Sequence, residues 1–140
     1  MIETLFLKIN NTLGARISTS INLKVARLNI WNGTIRFKAY ALMDCFKSWV
    51  RPGYANEYNL QHEQTHFNLT EMCVRGLETE LNQMKIKSVK SPIVQATLDK
   101  WENKMKDLQI QYDRETKGGN DSVVQSTWNE KVLAELNKTD

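Results

Sequence analysis

The N-terminal third of the chain alternates apolar and polar positions, which is the period expected of β-strands. Apolar or β-branched residues fall at every second position of one run: Ile17, Thr19, Ile21, Leu23 and Val25. After Val25 the apolar positions shift parity to Leu28 and Ile30, which predicts a β-bulge near Ala26. A shorter apolar segment, Thr4 to Ile9, precedes this run.

A second extended segment follows a turn signal. Asn32-Gly33 is typical of a two-residue hairpin turn, and period-two character continues from Arg36 to Val50. Pro52-Gly53 then interrupts the pattern. These features predict one antiparallel β-sheet in the first fifty residues.

The remaining residues have helical spacing. A first helix is expected from about Asn56 to about Lys87, and Ser91-Pro92 supplies an N-cap and a proline at the start of a second helix. Each of these helices has one apolar face, called its stripe below. The stripe of the first helix is Leu69, Cys73, Leu77, Leu81 and Met84, and that of the second is Val94, Leu98, Trp101, Met105, Leu108 and Tyr112. Gly118-Gly119-Asn120 ends the second helix.

A third helix is expected to begin with a capping box, Ser122-Val-Val-Gln125. Its packing side carries Val124, Trp128, Val132 and Leu136. The pattern therefore predicts the α+β class: a small N-terminal antiparallel sheet packed on the first of three helices. We expect residues 1–140 to form a single domain.

Composition narrows the classes of function. The net charge of +3 and the interleaved charges give little support to nucleic-acid binding, and no run is long enough to span a membrane. The cluster Lys85, Lys87 and Lys90 is interpreted as a solvated helix end rather than a phosphate site. The first residues lack a signal-peptide pattern, so we expect a soluble chain that is cytoplasmic or has lost an export signal.

Both histidines of the chain belong to one motif, His62-Glu63-Gln64-Thr65-His66. On a helix, His62 and His66 lie one turn apart on the same face, so both imidazoles can reach one metal ion. Zinc favours such nitrogen ligands, and a catalytic zinc keeps one position for water. Glu63 lies beside the pair, where its carboxylate could take a proton from that water. The motif predicts a zinc site at the head of a buried stripe.

The third ligand is expected on the second helix. If the two helices are antiparallel and joined near Val89, the level of the histidines corresponds to about residue 114. Asp113 and Glu115 then lie opposite the histidines, and both are potential oxygen ligands. Periodicity favours Glu115, because it continues the packing stripe, but the pattern alone does not separate the two. Tyr112 is either an oxyanion donor or a core tyrosine.

The two cysteines add little chemistry. Cys45 falls in the second extended segment and Cys73 on the stripe of the first helix. We expect both to be small buried side chains, although a disulfide between them is possible in an oxidising compartment.

Several blocks of the chain resemble a bacterial domain family of unknown function described as predicted secreted zinc-dependent proteases. The resemblance extends from about Ile17 to Leu136 and is strongest around the histidines. The blocks that carry it are Lys47-Ser-Trp-Val50, Leu60-Gln-His-Glu-Gln-Thr-His-Phe-Asn-Leu-Thr-Glu71, Tyr112-Asp-x-Glu-Thr116 and Gln125-x-x-Trp128. The resemblance implies a small zincin-like fold and an extracytoplasmic location, with a cytoplasmic one as the alternative.

Carried over residue by residue, the resemblance makes His62 and His66 ligands and Glu63 the catalytic carboxylate. It favours Asp113 over Glu115 as the third ligand. Family members commonly have a histidine where this chain has Gly118. If that histidine is a ligand or a transition-state donor, its loss implies weak metal binding or an inactive protein.

Two functions remain open at this level. The first is a zinc-dependent metallohydrolase, most simply a peptidase, whose peptide or protein substrate pairs with the sheet edge near Ala39–Cys45. The second is a catalytically inactive, metal-stabilised binding module. A scaffold without metal is a third hypothesis, and it leaves the two histidines unexplained.

Overall fold

Four strands precede three helices in the computed structural model, which describes residues 14–138. The elements are β1 (Ala15–Arg16), β2 (Thr19–Leu28), β3 (Ile35–Met43), β4 (Trp49–Val50), α1 (Glu57–Gln83), α2 (Pro92–Glu115) and α3 (Ser122–Asn137). The predicted α+β class is confirmed. The segment Thr4 to Ile9 lies outside the described residues.

The strands form two antiparallel pairs rather than the one sheet predicted. β2 pairs with β3, and β1 pairs with β4. The expected bulge is confirmed, because the register of the β2–β3 ladder shifts between Val25 and Arg27. The predicted single strand from Arg36 to Val50 is wrong. The Asp44 side chain accepts hydrogen bonds from the backbone N–H groups of Phe46 and Lys47, so the chain turns out of β3 before it reaches β4.

The β2–β3 hairpin closes through a longer loop than the Asn-Gly signal predicts. Leu28 pairs with Ile35, so the loop runs from Asn29 to Thr34. The Asn29 side chain accepts the backbone N–H of Trp31 at 2.9 Å, which folds the loop back on itself. Gly33 still has the left-handed backbone that the signal requires, with φ +72°.

Helix α1 is the central element and packs on both the hairpin and the other helices. Asn56 caps its start by accepting the backbone N–H of Asn59, as the predicted boundary required. Leu69, Cys73, Leu77 and Leu81 are fully buried, which confirms the stripe. The helix ends at Gln83 rather than near Lys87, so Met84 is 39 % exposed and does not extend the buried stripe.

Helices α2 and α3 complete two hydrophobic clusters. One lies between β3 and α1: its buried members are Ile35, Phe37, Ala39, Val74, Leu77, Leu81, Ile86 and Val94. The other consists of Leu69, Tyr112, Val132 and Leu136 and joins α1 to α2 and α3. Helix α3 is capped by Asp121, not by Ser122. The side chain of Gln125 is therefore not used in a capping box and turns toward the histidines instead.

The cysteines are both free, and one of them departs from the prediction. Cys73 is buried as expected, whereas Cys45 is exposed because it lies in the turn after β3. Across residues 14–138, no helix combines the length and the apolar character needed to cross a bilayer.

Candidate metal centre

The antiparallel packing of α1 and α2 brings three side chains with ligand atoms together. The Oδ1 atom of Asp113 lies 3.2 Å from Nε2 of His62 and 2.8 Å from Nε2 of His66. The three ligand atoms all lie within 4.8 Å of one another. The helix pair thus offers two imidazoles and one carboxylate to a single point.

Glu115 is not part of this group. Its carboxylate accepts hydrogen bonds from the side chains of Gln111 and Trp128, and the residue is exposed. Of the two carboxylates that the sequence left open, the structure therefore brings Asp113 to the histidines and holds Glu115 on the other side of α2.

Each histidine is oriented by a glutamine on another helix. Nδ1 of His62 lies 3.0 Å from Oε1 of Gln125, and Nδ1 of His66 is hydrogen-bonded to Oε1 of Gln109. The amide of Gln109 is fixed in turn, because its Nε2 group donates to the carbonyl of His66 at 2.9 Å. Since amide oxygens only accept, both imidazoles donate their Nδ1 protons to glutamine.

This pattern leaves both Nε2 atoms free of the glutamine hydrogen bonds and available to coordinate a metal ion. In the neutral imidazole with a proton on Nδ1, Nε2 carries a lone pair. In that tautomer His62 and His66 direct two lone pairs at the Asp113 carboxylate, so three acceptors face one another unless an imidazole also carries a proton on Nε2. A metal cation, or a proton on an imidazole, removes this repulsion. Histidine ligands in metal sites are commonly held by hydrogen bonds of this kind.

The charges of the cluster are strongly interdependent. Burial alone raises the pKa of the Asp113 carboxyl, but hydrogen bonds from His62 and His66 outweigh burial and hold that pKa well below its usual range. Burial alone lowers the pKa of His66, but the hydrogen bond and charge of Asp113 outweigh it and raise the pKa of the imidazole. The site therefore stabilises positive charge next to an ionised Asp113.

Glu63 lies beside the ligands and is held by the backbone of the N-terminal segment. Its Oε2 atom accepts the N–H of Ile17 at 2.8 Å. Burial raises the pKa of the Glu63 carboxyl, while the two histidines and the Ile17 N–H partly offset that rise. A carboxylate with a raised pKa has the basicity that a general base requires.

The cluster opens onto a cleft of about 780 Å³. His62, Glu63, His66 and Asp113 all line it, and Gly118 and Gly119 form part of its wall. Gly119 has φ +90°, and a Cβ atom there would come within 3.3 Å of Nδ1 of His62. The turn after α2 therefore passes close over the His62 ring because it has no side chain at that point.

Tyr112 lies in the core behind the histidines. Its ring stacks on His62 with the centroids 4.7 Å apart, and its hydroxyl donates to the carbonyl of His62 at 3.4 Å. The residue is fully buried, and burial raises the pKa of its phenol. Of the two roles considered for Tyr112, this location corresponds to the core tyrosine that supports the His62 ring.

A second, apolar groove of about 1070 Å³ lies on the other side of Glu63. Its lining includes Ala41, Met43, Trp49, Leu60 and Phe67, and Glu63 and Ile17 line both cavities. The groove runs along the outer edge of β3 and so lies next to the candidate metal centre.

The outer edge of β3 is partly covered by α1. The Glu78 carboxylate accepts the N–H of Ala39 at 3.0 Å. The side-chain amide of Asn82 accepts the backbone N–H of Phe37 and donates to the carbonyl of Phe37. The predicted peptide-pairing edge, Ala39–Cys45, is therefore too long at both ends. The N–H of Ala39 is already bonded to Glu78, and β3 ends at Met43, before Cys45. By strand alternation the N–H of Ala41 faces the same side, toward the apolar groove.

Several residues quoted for the family resemblance acquire physical roles here. The Thr116 hydroxyl donates to the carbonyl of Tyr112 and accepts the N–H of Gly119, so it fixes the turn over His62. Trp128 packs edge-on against Tyr112, with the ring centroids 5.5 Å apart.

The sequence analysis did not predict Gln109 as a partner of His66. Its position four residues before Asp113, on the same face of α2, was the available signal.

Comparison of the chain with models of protein families, with characterised proteins and with solved structures finds no match. The resemblance to the predicted zinc-dependent proteases therefore stays a prediction.

Proposed function

We propose that this protein is a zinc-dependent metallohydrolase, most simply a peptidase, with a minimal zincin-like fold. The observation that carries the proposal is the convergence of His62 Nε2, His66 Nε2 and Asp113 Oδ1, with both Nδ1 protons donated to glutamine oxygens. Two nitrogens and one oxygen are a ligand set typical of catalytic zinc, which keeps a fourth position open to solvent. The cleft supplies that access.

The chain's own residues supply the other parts of a hydrolytic site. A bound zinc ion would polarise a scissile carbonyl and lower the pKa of a water molecule toward about 7. Glu63 lines the cleft, and its carboxylate would accept a proton from that water molecule. Gln109 and Gln125 keep the imidazoles in the tautomer that coordinates through Nε2.

An extended peptide is the substrate class that the surroundings favour. The N–H of Ala41, which by strand alternation faces the groove, offers main-chain pairing, and the apolar groove beside Glu63 offers room for a large apolar side chain. We extend the proposal to an extracytoplasmic location, which rests on the sequence resemblance alone.

Two observations favour a second candidate, a metal-stabilised binding module without turnover. The Glu63 carboxylate is already occupied by the N–H of Ile17 and thus has a structural task. Position 118, where the resembling family commonly has histidine, is glycine in the cleft wall. In this candidate the same three ligands hold zinc, and the cleft binds a peptide without cleaving it.

Zinc content and peptide hydrolysis together test the proposal. Purified protein should hold one zinc ion per chain, and the loaded protein should cleave members of a broad peptide library. Glu63→Gln keeps an oxygen that can accept the Ile17 N–H but removes the base, so zinc should remain while the rate falls by about 10²–10⁴-fold. Glu71→Gln is the matched control, because Glu71 lies on the same helix and pairs with Arg75 instead.

Each outcome decides between the candidates. Stoichiometric zinc without cleavage in either protein favours the binding module. Equal cleavage by the wild type and by Glu63→Gln excludes Glu63 as the base. Absence of zinc after reconstitution, with no effect of zinc on thermal stability, rejects both candidates.

A further inference from the structure

The β2–β3 hairpin carries an unusual charge arrangement on its outer face. Lys24 lies directly opposite Lys38, and Arg27 lies directly opposite Arg36. All four side chains are exposed. Like charges at directly opposed positions of an antiparallel pair are destabilising, so the fold carries this arrangement at a cost.

Few carboxylates offset these charges. Lys38 pairs with Glu78 at 3.2 Å, whereas neither Arg27 nor Arg36 forms an ion pair with another residue of the 14–138 range. Lys85, in the connection between α1 and α2, lines the same surface depression as the two arginines. That connection is tied to the hairpin, because the N–H of Ile35 donates to the carbonyl of Ile86. Lys87 and Lys90 follow in it.

The tip of the same hairpin is apolar and unpacked. Ile30 is 82 % exposed and Trp31 is 92 % exposed, and the two are consecutive residues of the loop. Large apolar side chains that remain in water at a protruding tip mark a contact with another molecule or with a membrane. Tryptophan in particular is enriched at the interface between water and lipid.

Most backbone N–H groups of the loop are hydrogen-bonded within the loop. Within the loop itself, Asn29 accepts the N–H groups of Trp31 and Gly33, and the Asn32 side chain accepts that of Thr34. The N–H of Asn29 donates to the carbonyl of Thr34. These N–H groups keep their partners when the tip enters an apolar medium, where an unsatisfied backbone polar group is costly.

We propose that the hairpin docks the protein on an anionic phospholipid surface. Ile30 and Trp31 enter the interfacial region, and Arg27, Arg36, Lys38 and Lys85 face the lipid headgroups. A negative surface attracts each such cation and relieves the repulsion between the opposed pairs. A nucleic acid would also match the charges, but it offers nothing to Ile30 at the tip.

This docking leaves the candidate metal centre free. His62 lies near the start of α1 and the hairpin tip lies near its end, so the two are about 30 Å apart along the helix axis. The proposal therefore does not depend on zinc or on catalysis, and it can be tested with the full chain in the presence of a chelator.

Co-sedimentation with vesicles measures the interaction. The probes are vesicles of phosphatidylcholine alone and vesicles in which about one third of the lipid is phosphatidylglycerol. We expect the full chain to bind the anionic vesicles at low salt, and to bind the neutral ones much more weakly. Arg27→Gln and Arg36→Gln should each weaken binding about fivefold. Lys131→Gln, which removes an exposed cation on α3, is the matched control and should leave binding unchanged.

The apolar tip is tested separately. Trp31→Ser should weaken vesicle binding about tenfold or more, whereas Phe46→Ser, at an equally exposed aromatic on the turn after β3, should not. The emission of Trp31, obtained as the difference between the wild type and Trp31→Phe, should shift to shorter wavelength on anionic vesicles.

Three results would overturn the proposal. One is the absence of binding to anionic vesicles at low salt. Another is a Trp31→Ser variant that binds as tightly as the wild type, which would leave a purely electrostatic contact. The third is tighter binding to a duplex oligonucleotide than to the anionic vesicles, with the same dependence on Arg27 and Arg36, which would assign the surface to a nucleic acid.

Discussion

At the scale of single residues, the third ligand gives the sharpest test of the metal centre. Asp113→Ala removes the carboxylate that lies 2.8 Å from His66 Nε2 and should lower zinc affinity by about a hundredfold or more. Glu115→Ala removes an exposed carboxylate bonded to Gln111 and Trp128 and should change it little. Competition with a chromogenic chelator measures the zinc affinity of both variants. The reverse order of effects would contradict the assignment.

The helical pattern did not decide between Asp113 and Glu115 as the third ligand, whereas the family resemblance favoured Asp113. Helical periodicity specifies which residues share a face, yet a rotation of α2 by part of a turn exchanges the two carboxylates. That rotation is set by packing, because Tyr112 is buried against His62 and Trp128. The pattern favoured Glu115, and the structure brings Asp113 to the site instead.

The glutamine that orients His66 yields a second residue-scale prediction. Gln109→Leu leaves the shape of α2 but removes the acceptor of the Nδ1 proton, so zinc affinity should fall about 10–100-fold. Gln111→Leu, two residues further on, removes a side chain that bonds only the exposed Glu115 in the described structure. It is the matched control in the same chelator competition. Equal loss in both variants would mean that the effect comes from the helix and not from His66.

At the scale of elements, the predictions succeeded where a feature depends on a few neighbouring residues. The bulge after Val25 was predicted from a change of parity, and the start of α1 was predicted near Asn56, because both are properties of a few neighbouring residues. The predictions of the hairpin turn and of the end of β3 were wrong because side chains in the turns changed the local backbone. Asn29 and Asp44 each accept backbone N–H groups two residues on and rebuild the turn, which an Asn-Gly signal or a period-two pattern does not report.

The contact between α1 and α2 supplies an element-scale prediction. A Cβ atom on Gly76 would lie 2.2 Å from Cη2 of Trp101, and the indole is held by its hydrogen bond to Glu80 at 2.8 Å. Gly76→Ala would stabilise an open helix by about 1 kcal/mol. Here we expect a net loss of about 1–3 kcal/mol in the free energy of unfolding, because the helices must separate. Urea denaturation measures it.

A double mutant separates the clash from other effects of the alanine. Trp101→Phe removes the ring atoms nearest Gly76, so adding Gly76→Ala in that background should cost little or stabilise. Gly76→Ala that raises stability in the wild-type background would show that Trp101 moves aside freely.

At the scale of the whole molecule, zinc binding at the proposed metal centre should stabilise the folded chain. The proposed ligands come from α1 and α2, so zinc should bind the folded chain much better than the unfolded one. Free zinc at about a hundred times its dissociation constant adds about 2.7 kcal/mol to stability and should raise the Tm by about 6–12 °C. Calorimetry with and without chelator measures the shift, and His66→Ala should abolish it.

This shift should depend on pH in a defined direction. Zinc needs a neutral imidazole, and the net effect of burial and Asp113 is to raise the pKa of His66 above its ordinary value. Protons therefore begin to compete near neutral pH, and the zinc-induced rise in Tm should be larger at about pH 8 than at about pH 6. Magnesium, which prefers oxygen ligands, is the control and should give no shift at either pH. A zinc effect that does not vary with pH would exclude His66 as a ligand.

The three ligand atoms differ in how far apart they lie along the chain. His62 and His66 meet within a single turn of α1, whereas Asp113 is 47 residues beyond His66. Because Gln109 also lies on α2, a momentary separation of the two helices withdraws the oxygen ligand and the partner of His66 together. If the centre holds a metal ion, the rate at which that ion exchanges should therefore report how often α1 and α2 separate locally.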